Sequence, residues 1–200
     1  MVLDPSTKKL YIFAGQREDK YLSDMYAYDI RTNIATEIFS NFSAAGGPEA
    51  CFTQRAVVDP VLKEIYVFCG LTRTTSVTGP LHALRDDLLN WVYRYDARPG
   101  KWMQILRQPE TSASQRPMPR FAHQVVYNPN TRTVFLHGGN AGGTLGSRSS
   151  GRDDGDVGAG PQDPEETREN LGAKERLDDF WRMQLRRFVS LSTLRPWTRD

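Results

Sequence analysis

Cysteine is nearly absent from this sequence. The two present, Cys51 and Cys69, have no CxxC spacing, which excludes a disulfide-stapled secreted scaffold and a thiolate zinc site. Cys69 lies within an apolar run and reads as a small core residue. Histidine is also scarce: His82, His123 and His137 stand far apart and form no metal-ligand spacing with Cys or Asp. Long apolar runs are missing, since no stretch approaches the ~18 residues needed to span a bilayer. The opening residues, Met1-Val2-Leu3-Asp4-Pro5, carry neither the basic nor the apolar region of a secretory signal. These absences predict a cytoplasmic or nuclear chain with no membrane partner. Charge of one sign is lacking too: the net charge is +2 with no dense Lys/Arg stripe, which speaks against a nucleic-acid partner.

What is present is a repeat. Three segments share one layout: Asp4-Pro5 to Leu10-Tyr11-Ile12-Phe13-Ala14-Gly15, Asp59-Pro60 to Ile65-Tyr66-Val67-Phe68-Cys69-Gly70, and Asn128-Pro129 to Val134-Phe135-Leu136-His137-Gly138-Gly139. The distance from the Asp or Asn to the last glycine is 11 residues each time, and Tyr11, Tyr66 and Phe135 share one offset. Val2-Leu3, Val57-Val58 and Val126-Tyr127 supply a preceding apolar strand. Asx-Pro between two apolar runs is turn chemistry, because proline presets φ and the Asx side chain bonds the local backbone. Each unit is therefore predicted to open with a β-hairpin whose second strand, near 9–14, 64–69 and 133–138, ends at the glycine.

A third strand follows in each unit: Asp24-Met25-Tyr26-Ala27-Tyr28-Asp29, Trp91-Val92-Tyr93-Arg94-Tyr95-Asp96 and Asp179-Phe180-Trp181-Arg182-Met183-Gln184. Aromatic and polar residues alternate, the pattern of a half-buried strand. Trp102, seven residues after Tyr95, opens a fourth strand over 101–106, whereas the first unit has Ala35 seven residues after Tyr28. Self-similar units of about 50 residues with about four strands each predict an all-β chain built as propeller blades. Such units bury their apolar faces only against neighbours. The boundaries are 1–50, 51–110 and 117–185, with 140–176 inserted in the last and 186–200 as an irregular tail.

The glycine-ended second strand, the aromatic on the third and the Trp on the fourth make the kelch pattern. More narrowly, the chain resembles the muskelin-type kelch proteins. The strings that carry this are Leu10-Tyr11-Ile12-Phe13-Ala14-Gly15-Gln16-Arg17 to Tyr21-Leu22-Ser23-Asp24, Phe52-Thr53-Gln54-Arg55-Ala56-Val57-Val58-Asp59-Pro60, Pro119-Arg120-Phe121-Ala122-His123-Gln124-Val125-Val126-Tyr127 and Leu177-Asp178-Asp179-Phe180-Trp181. The resemblance covers about residues 1–185. It implies a partial kelch-type propeller, three blades of six, from a non-enzymatic scaffold of a CTLH-type ubiquitin ligase assembly. It further implies ligase subunits as partners and self-association. Family members carry discoidin-like, LisH and CTLH segments ahead of six repeats, so the chain is expected to be the C-terminal part of such a protein. The diglycine is intact only at Gly138-Gly139; Gly15 and Gly70 follow Ala14 and Cys69.

Two segments depart from the strand pattern. Residues 140–176 are rich in Gly, Ser, Asp, Glu and Arg and poor in large apolar side chains, too few to offset ordering entropy, so this insertion is expected to be disordered. Residues 72–87 are expected to be a milder loop at the equivalent position. Both leave after the glycine, on one face of the propeller, where loops gather to bind partners.

No motif carries chemistry. His123 takes the position of Gln54, which favours a hydrogen-bonding role over catalysis, and His137 stands where Phe13 and Phe68 stand, which makes it a packed strand residue. Asp153-Asp154-Gly155-Asp156 lacks the bidentate Glu of a calcium loop, and Gly138-Gly139-Asn140-Ala141-Gly142-Gly143 lacks the Gly-Lys-Ser/Thr of a phosphate loop. No cofactor is implied. Arg55 and Arg120, near first-strand starts, suit either partner carboxylates at an interface or an ion pair between blades with a loop Asp such as Asp24 or Asp179. The alternative to a scaffold is a kelch-propeller enzyme or small-molecule module with its site at the central channel, where Gln54 and His123 converge.

Overall fold

The structure is a computed structural model. It describes residues 1–18, 20–68, 70–76, 79–83, 91–97, 99–104, 117–118, 120–140, 176–185 and 198–199. These hold strands and no helix, so none that could cross a membrane. The first sheet runs β1 (Val2–Asp4), β2 (Lys9–Arg17), β3 (Lys20–Asp29), β4 (Ile34–Phe39). After the short β5 (Cys51–Phe52) comes the middle sheet: β6 (Arg55–Asp59), β7 (Glu64–Phe68), β10 (Trp91–Arg94) and β11 (Lys101–Gln104). Between β7 and β10 lie β8 (Leu71–Ser76) and β9 (Gly79–Ala83), which join β5 in a small sheet. The third sheet is β12 (Gln124–Asn128), β13 (Thr133–His137), β14 (Phe180–Gln184) and β15 (Thr198–Arg199). All the pairings are antiparallel, and the apolar strands bounded by Asx-Pro and glycine are each second in their sheet.

The three opening hairpins are built alike. Asp4 Oδ1 accepts the Ser6 and Thr7 amides at 2.8 and 3.4 Å, Asp59 Oδ1 the Val61 and Leu62 amides at 3.0 Å each, and Asn128 Oδ1 the Asn130 and Thr131 amides at 3.0 and 3.3 Å. The side-chain oxygen thus satisfies two donors that the tight turn leaves open. Each turn closes on a cation with left-handed backbone: Lys8 at φ 58°, Lys63 at 59° and Arg132 at 52°. The carbonyls of these three accept the amides of Ile30, Tyr95 and Leu185, which tie the end of each third strand to the turn.

The alternation of side chains across a strand explains the packing. Every residue of β7 is buried. Ile65 and Val67 pack toward the first sheet, with Tyr11, Phe13, Met25, Tyr93 and Trp102. Tyr66 and Phe68 pack toward the third, with Val92, Val134, Leu136, Trp181 and Met183. The middle sheet is therefore a filling between two others, and its near-continuous apolar β7 is the sequence mark of two covered faces. At the start of β7 Glu64 is buried, accepting Tyr66 Oη at 2.6 Å and Arg94 Nε at 3.0 Å.

Three expectations need correction. Residues 72–87 are not a plain loop, because the threonine-rich Leu71-Thr72-Arg73-Thr74-Thr75-Ser76 forms β8 and pairs with β9. Gly15 does not end its strand: β2 continues to Arg17 through a bulge between Phe13 and Gly15, with φ 118° at Gly15. The tail is not wholly irregular, since Thr198–Arg199 completes the third sheet. The body of the 140–176 insertion, Cys69 and the Asp153–Asp156 run lie outside the described residues.

Ala14 shares the bulge, at φ 54°, where Gly138 stands at 63° in the third sheet. A Cβ in this region is strained, so Ala14→Gly is expected to raise stability by about 0.5–1 kcal/mol in urea titration.

Candidate functional site

Arg120 precedes β12 and is completely buried. Its guanidinium grips the Asp179 carboxylate through both NH1 and NH2, the latter at 2.8 Å, and donates to the carbonyls of Gly138 at 3.1 Å and Met118 at 3.0 Å. Trp181 Nε1 donates to the same carboxylate at 2.5 Å. Arg120 thus ties the approach segment to the β13–β14 connection inside the third unit. It is not an ion pair between sheets, and its fork has no open side for a partner. Asp24 takes no part in it.

His123 is also fully buried, and neither ring nitrogen has a hydrogen-bond partner among the described residues. Burial, with the positive charges of Arg55 and Arg120, pushes its pKa down to about 3. The ring is neutral at neutral pH. Its counterpart Gln54 bridges two sheets, donating from Nε2 to the Phe13 carbonyl at 3.2 Å. Arg55, half-buried at the head of β6, donates to the neighbouring Gln54 carbonyl at 3.4 Å. Arg55 and Arg120 are not equivalent: by the shared turn, Arg120 matches Cys51 and Arg55 matches Gln124. The buried Cys51 thiol is pushed up to about 12 by desolvation. His137 is exposed rather than packed, because it points to the uncovered side of the third sheet, with its Nδ1 3.1 Å from the Asp179 carbonyl, and the side chain of His82 lies outside the described residues. Among the described residues no three His, Cys, Asp or Glu side chains group as a metal site.

The sign of the His123 shift fixes a pH dependence. Its folded pKa lies below the ordinary 6.5, so the unfolded chain takes up the proton first and stability falls as pH drops below that value. Between pH 6.5 and 4.5 the loss is about 2–3 kcal/mol. His123→Gln, copying Gln54, is expected to remove that slope in denaturation curves taken across the range.

The blade glycines have a steric reason. A Cβ on Gly70 would lie 2.8 Å from the Phe52 carbonyl, and one on Gly139 2.8 Å from the Phe121 carbonyl. Gly138 and Gly15 need their positive φ, 63° and 118°, although nothing crowds Gly15.

Two features were not legible as sites. The first is a clasp between successive sheets. Asp4 is fully buried; its Oδ2 accepts Thr7 Oγ1 and, from the middle sheet, Tyr95 Oη, both at 2.8 Å, with Lys63 Nζ 4.0 Å away. Lys63 also donates to Ser6 Oγ at 2.9 Å. Burial pushes the Asp4 carboxyl up, but the bonds from Ser6, Tyr95 and Thr7 outweigh it and hold the pKa at about 2. Asp59 repeats the pattern one sheet on, accepting Tyr127 Oη at 2.9 Å and Arg132 Nε at 3.2 Å. A Lys or Arg four residues after each Asx was the available signal.

The second feature is the pair of outer faces. Leu10 and Ile12 occupy the register of Ile65 and Val67, and Phe135 and His137 that of Tyr66 and Phe68. In the middle sheet those positions are at most 4% exposed. On the outer faces Ile12 is 42% exposed, and Val126 and Phe180 are 64% and 40% exposed. Phe135 and Phe180 stack there at 5.7 Å.

No protein-family profile matches the chain. It is similar to Mei4-dependent protein 6 of Schizosaccharomyces pombe, 28% identical over 139 residues. The match covers 68% of this chain and 19% of that protein, so the chain spans about a fifth of the relative's length.

Proposed function

We propose that the chain is part of a kelch-type β-propeller, three blades of six, and serves as a non-enzymatic protein-interaction scaffold. It would act like the kelch region of muskelin-type proteins in a CTLH-type ubiquitin ligase assembly. One observation carries the reading: the middle sheet is buried on both faces, whereas the same registers on the outer sides of the first and third sheets are left open. Each large apolar side chain left in water forgoes about 1.5–3 kcal/mol, and contiguous exposed faces of this kind mark protein interfaces. Three similar four-stranded antiparallel sheets in succession support the propeller geometry. Weak self-association of the chain through these faces belongs to the same reading, as does action in the cytoplasm or nucleus.

The alternative, a site at the central channel, has less support. Arg120 is closed off by Asp179, and the ring nitrogens of His123 are buried.

Affinity purification of the tagged parent protein from its own cells tests the scaffold reading. Co-elution of ubiquitin ligase subunits in near-stoichiometric amounts is expected. A parent that elutes without them, and turns over a small substrate only while His123 is intact, would overturn it.

A further inference from the structure

We infer that the open face of the first sheet receives a further four-stranded antiparallel sheet whose first hairpin carries an aspartate, and that Lys8 binds that carboxylate. The inference rests on the reading that the outer faces are interfaces, and it names the chemistry of one occupant.

Two clasps of one kind are already present. Lys63 of the middle sheet bonds Ser6 Oγ of the first at 2.9 Å with its charge 4.0 Å from Asp4, and Arg132 of the third bonds Asp59 of the middle directly at 3.2 Å. The cation always reaches back to the preceding sheet. Lys8 holds the same turn position with the same left-handed backbone, is exposed, and has no ion pair among the described residues. A non-glycine residue there costs about 1–2 kcal/mol, yet the position holds a long cation in all three turns. Lys8 is the donor half of a clasp whose acceptor lies on a preceding sheet. Leu3 and Ile30 stand where Tyr127 and Tyr95 stand in the other sheets, so Lys8 acts there without a tyrosine.

The third sheet of a second copy is the wrong acceptor. Its hairpin carries Asn128, whose Oδ1 is committed to the Asn130 and Thr131 amides. The remaining atom, Nδ2, is a donor, where Asp4 and Asp59 offer a carboxylate oxygen to donors of the next sheet. Charge complementarity therefore asks for an aspartate-bearing sheet from elsewhere. The matched stretch is 19% of the S. pombe relative, so that protein carries much more chain than the part similar to this one.

Asn128→Asp supplies the missing acceptor in a defined probe. Untagged Asn128→Asp chain is titrated against tagged wild-type chain, and association is read by sedimentation velocity, with circular dichroism confirming that each variant folds. The new carboxylate in the third-sheet hairpin of one copy then meets Lys8 on the other. Association is expected to tighten about fivefold over the wild-type pair, the scale of one ion pair, and Lys8→Met in the tagged partner should cancel the gain, as should high salt. No gain with Asn128→Asp, or a gain that survives Lys8→Met, overturns the inference. Ile12→Glu separates the two levels. If it weakens the wild-type association while Asn128→Asp does nothing, the clasp is wrong and the interface reading stands; if it changes nothing either, both fall.

Discussion

Trp102→Ala is expected to cost the chain about 3–5 kcal/mol, the range for deleting a large aromatic from a core. Trp102 sits on β11 at 5% exposure and meets Tyr93, Phe42 and Phe13 at ring separations of 5.1, 5.4 and 6.4 Å. Its removal would open the seam between the first and middle sheets, because Phe42 and Phe13 belong to one side and Tyr93 to the other. The cavity cannot close easily: Gly47 already packs so tightly that a Cβ there would lie 2.9 Å from the Trp102 ring and 2.7 Å from the Phe42 carbonyl. Trp102 Nε1 has no hydrogen-bond partner among the described residues, so Trp102→Phe loses no bond there and should cost only about 1–2 kcal/mol. Urea denaturation of the two variants checks both figures. Equal losses would mean that the indole volume is not what holds the seam.

Arg120→Met is expected to be as damaging, about 3–5 kcal/mol, for an electrostatic reason. Removing one partner of a buried pair leaves the other charge uncompensated. Asp179, 12% exposed, would keep the Trp181 indole but lose a bidentate guanidinium, and the Gly138 and Met118 carbonyls would lose their donor. Replacing both partners with apolar residues should recover most of the loss, since a buried pair is weak net stabilisation once desolvation is counted. Denaturation of the single and double variants completes the cycle. A double variant as unstable as Arg120→Met would show that the carbonyl contacts, not the ion pair, dominate.

The all-β sheet plan was legible because it follows from turn chemistry and period. Asx-Pro fixes each hairpin, and the apolar run after it has no choice but to be a strand with one or two covered faces. That both faces of β7 are covered shows only once its neighbours on either side are in place. What the strings hid was geometry that depends on partners. β8 looked like a loop, since threonine, serine and arginine are loop residues until a neighbour such as β5 offers hydrogen bonds. Arg120 appeared as a first-strand arginine like Arg55, yet the turn register shifts it to the position of Cys51, inside the fold. His123 and Gln54 were matched on the strings, but only the packing shows an amide bonded across to Phe13 and an imidazole without a bond among the described residues. The clasp cations were visible at a fixed offset, and their role was not, because it requires knowing which sheet lies next to which.

Sedimentation velocity of the chain over a wide concentration range tests most directly whether the two outer faces are protein interfaces. The chain is expected to associate with rising concentration, and the double variant Ile12→Glu, Phe180→Glu, which charges one residue on each face, is expected to remain monomeric at every concentration. A wild-type chain that stays a sharp monomer throughout, and melts cooperatively above the ~45–65 °C at which closed mesophile domains unfold, would contradict this.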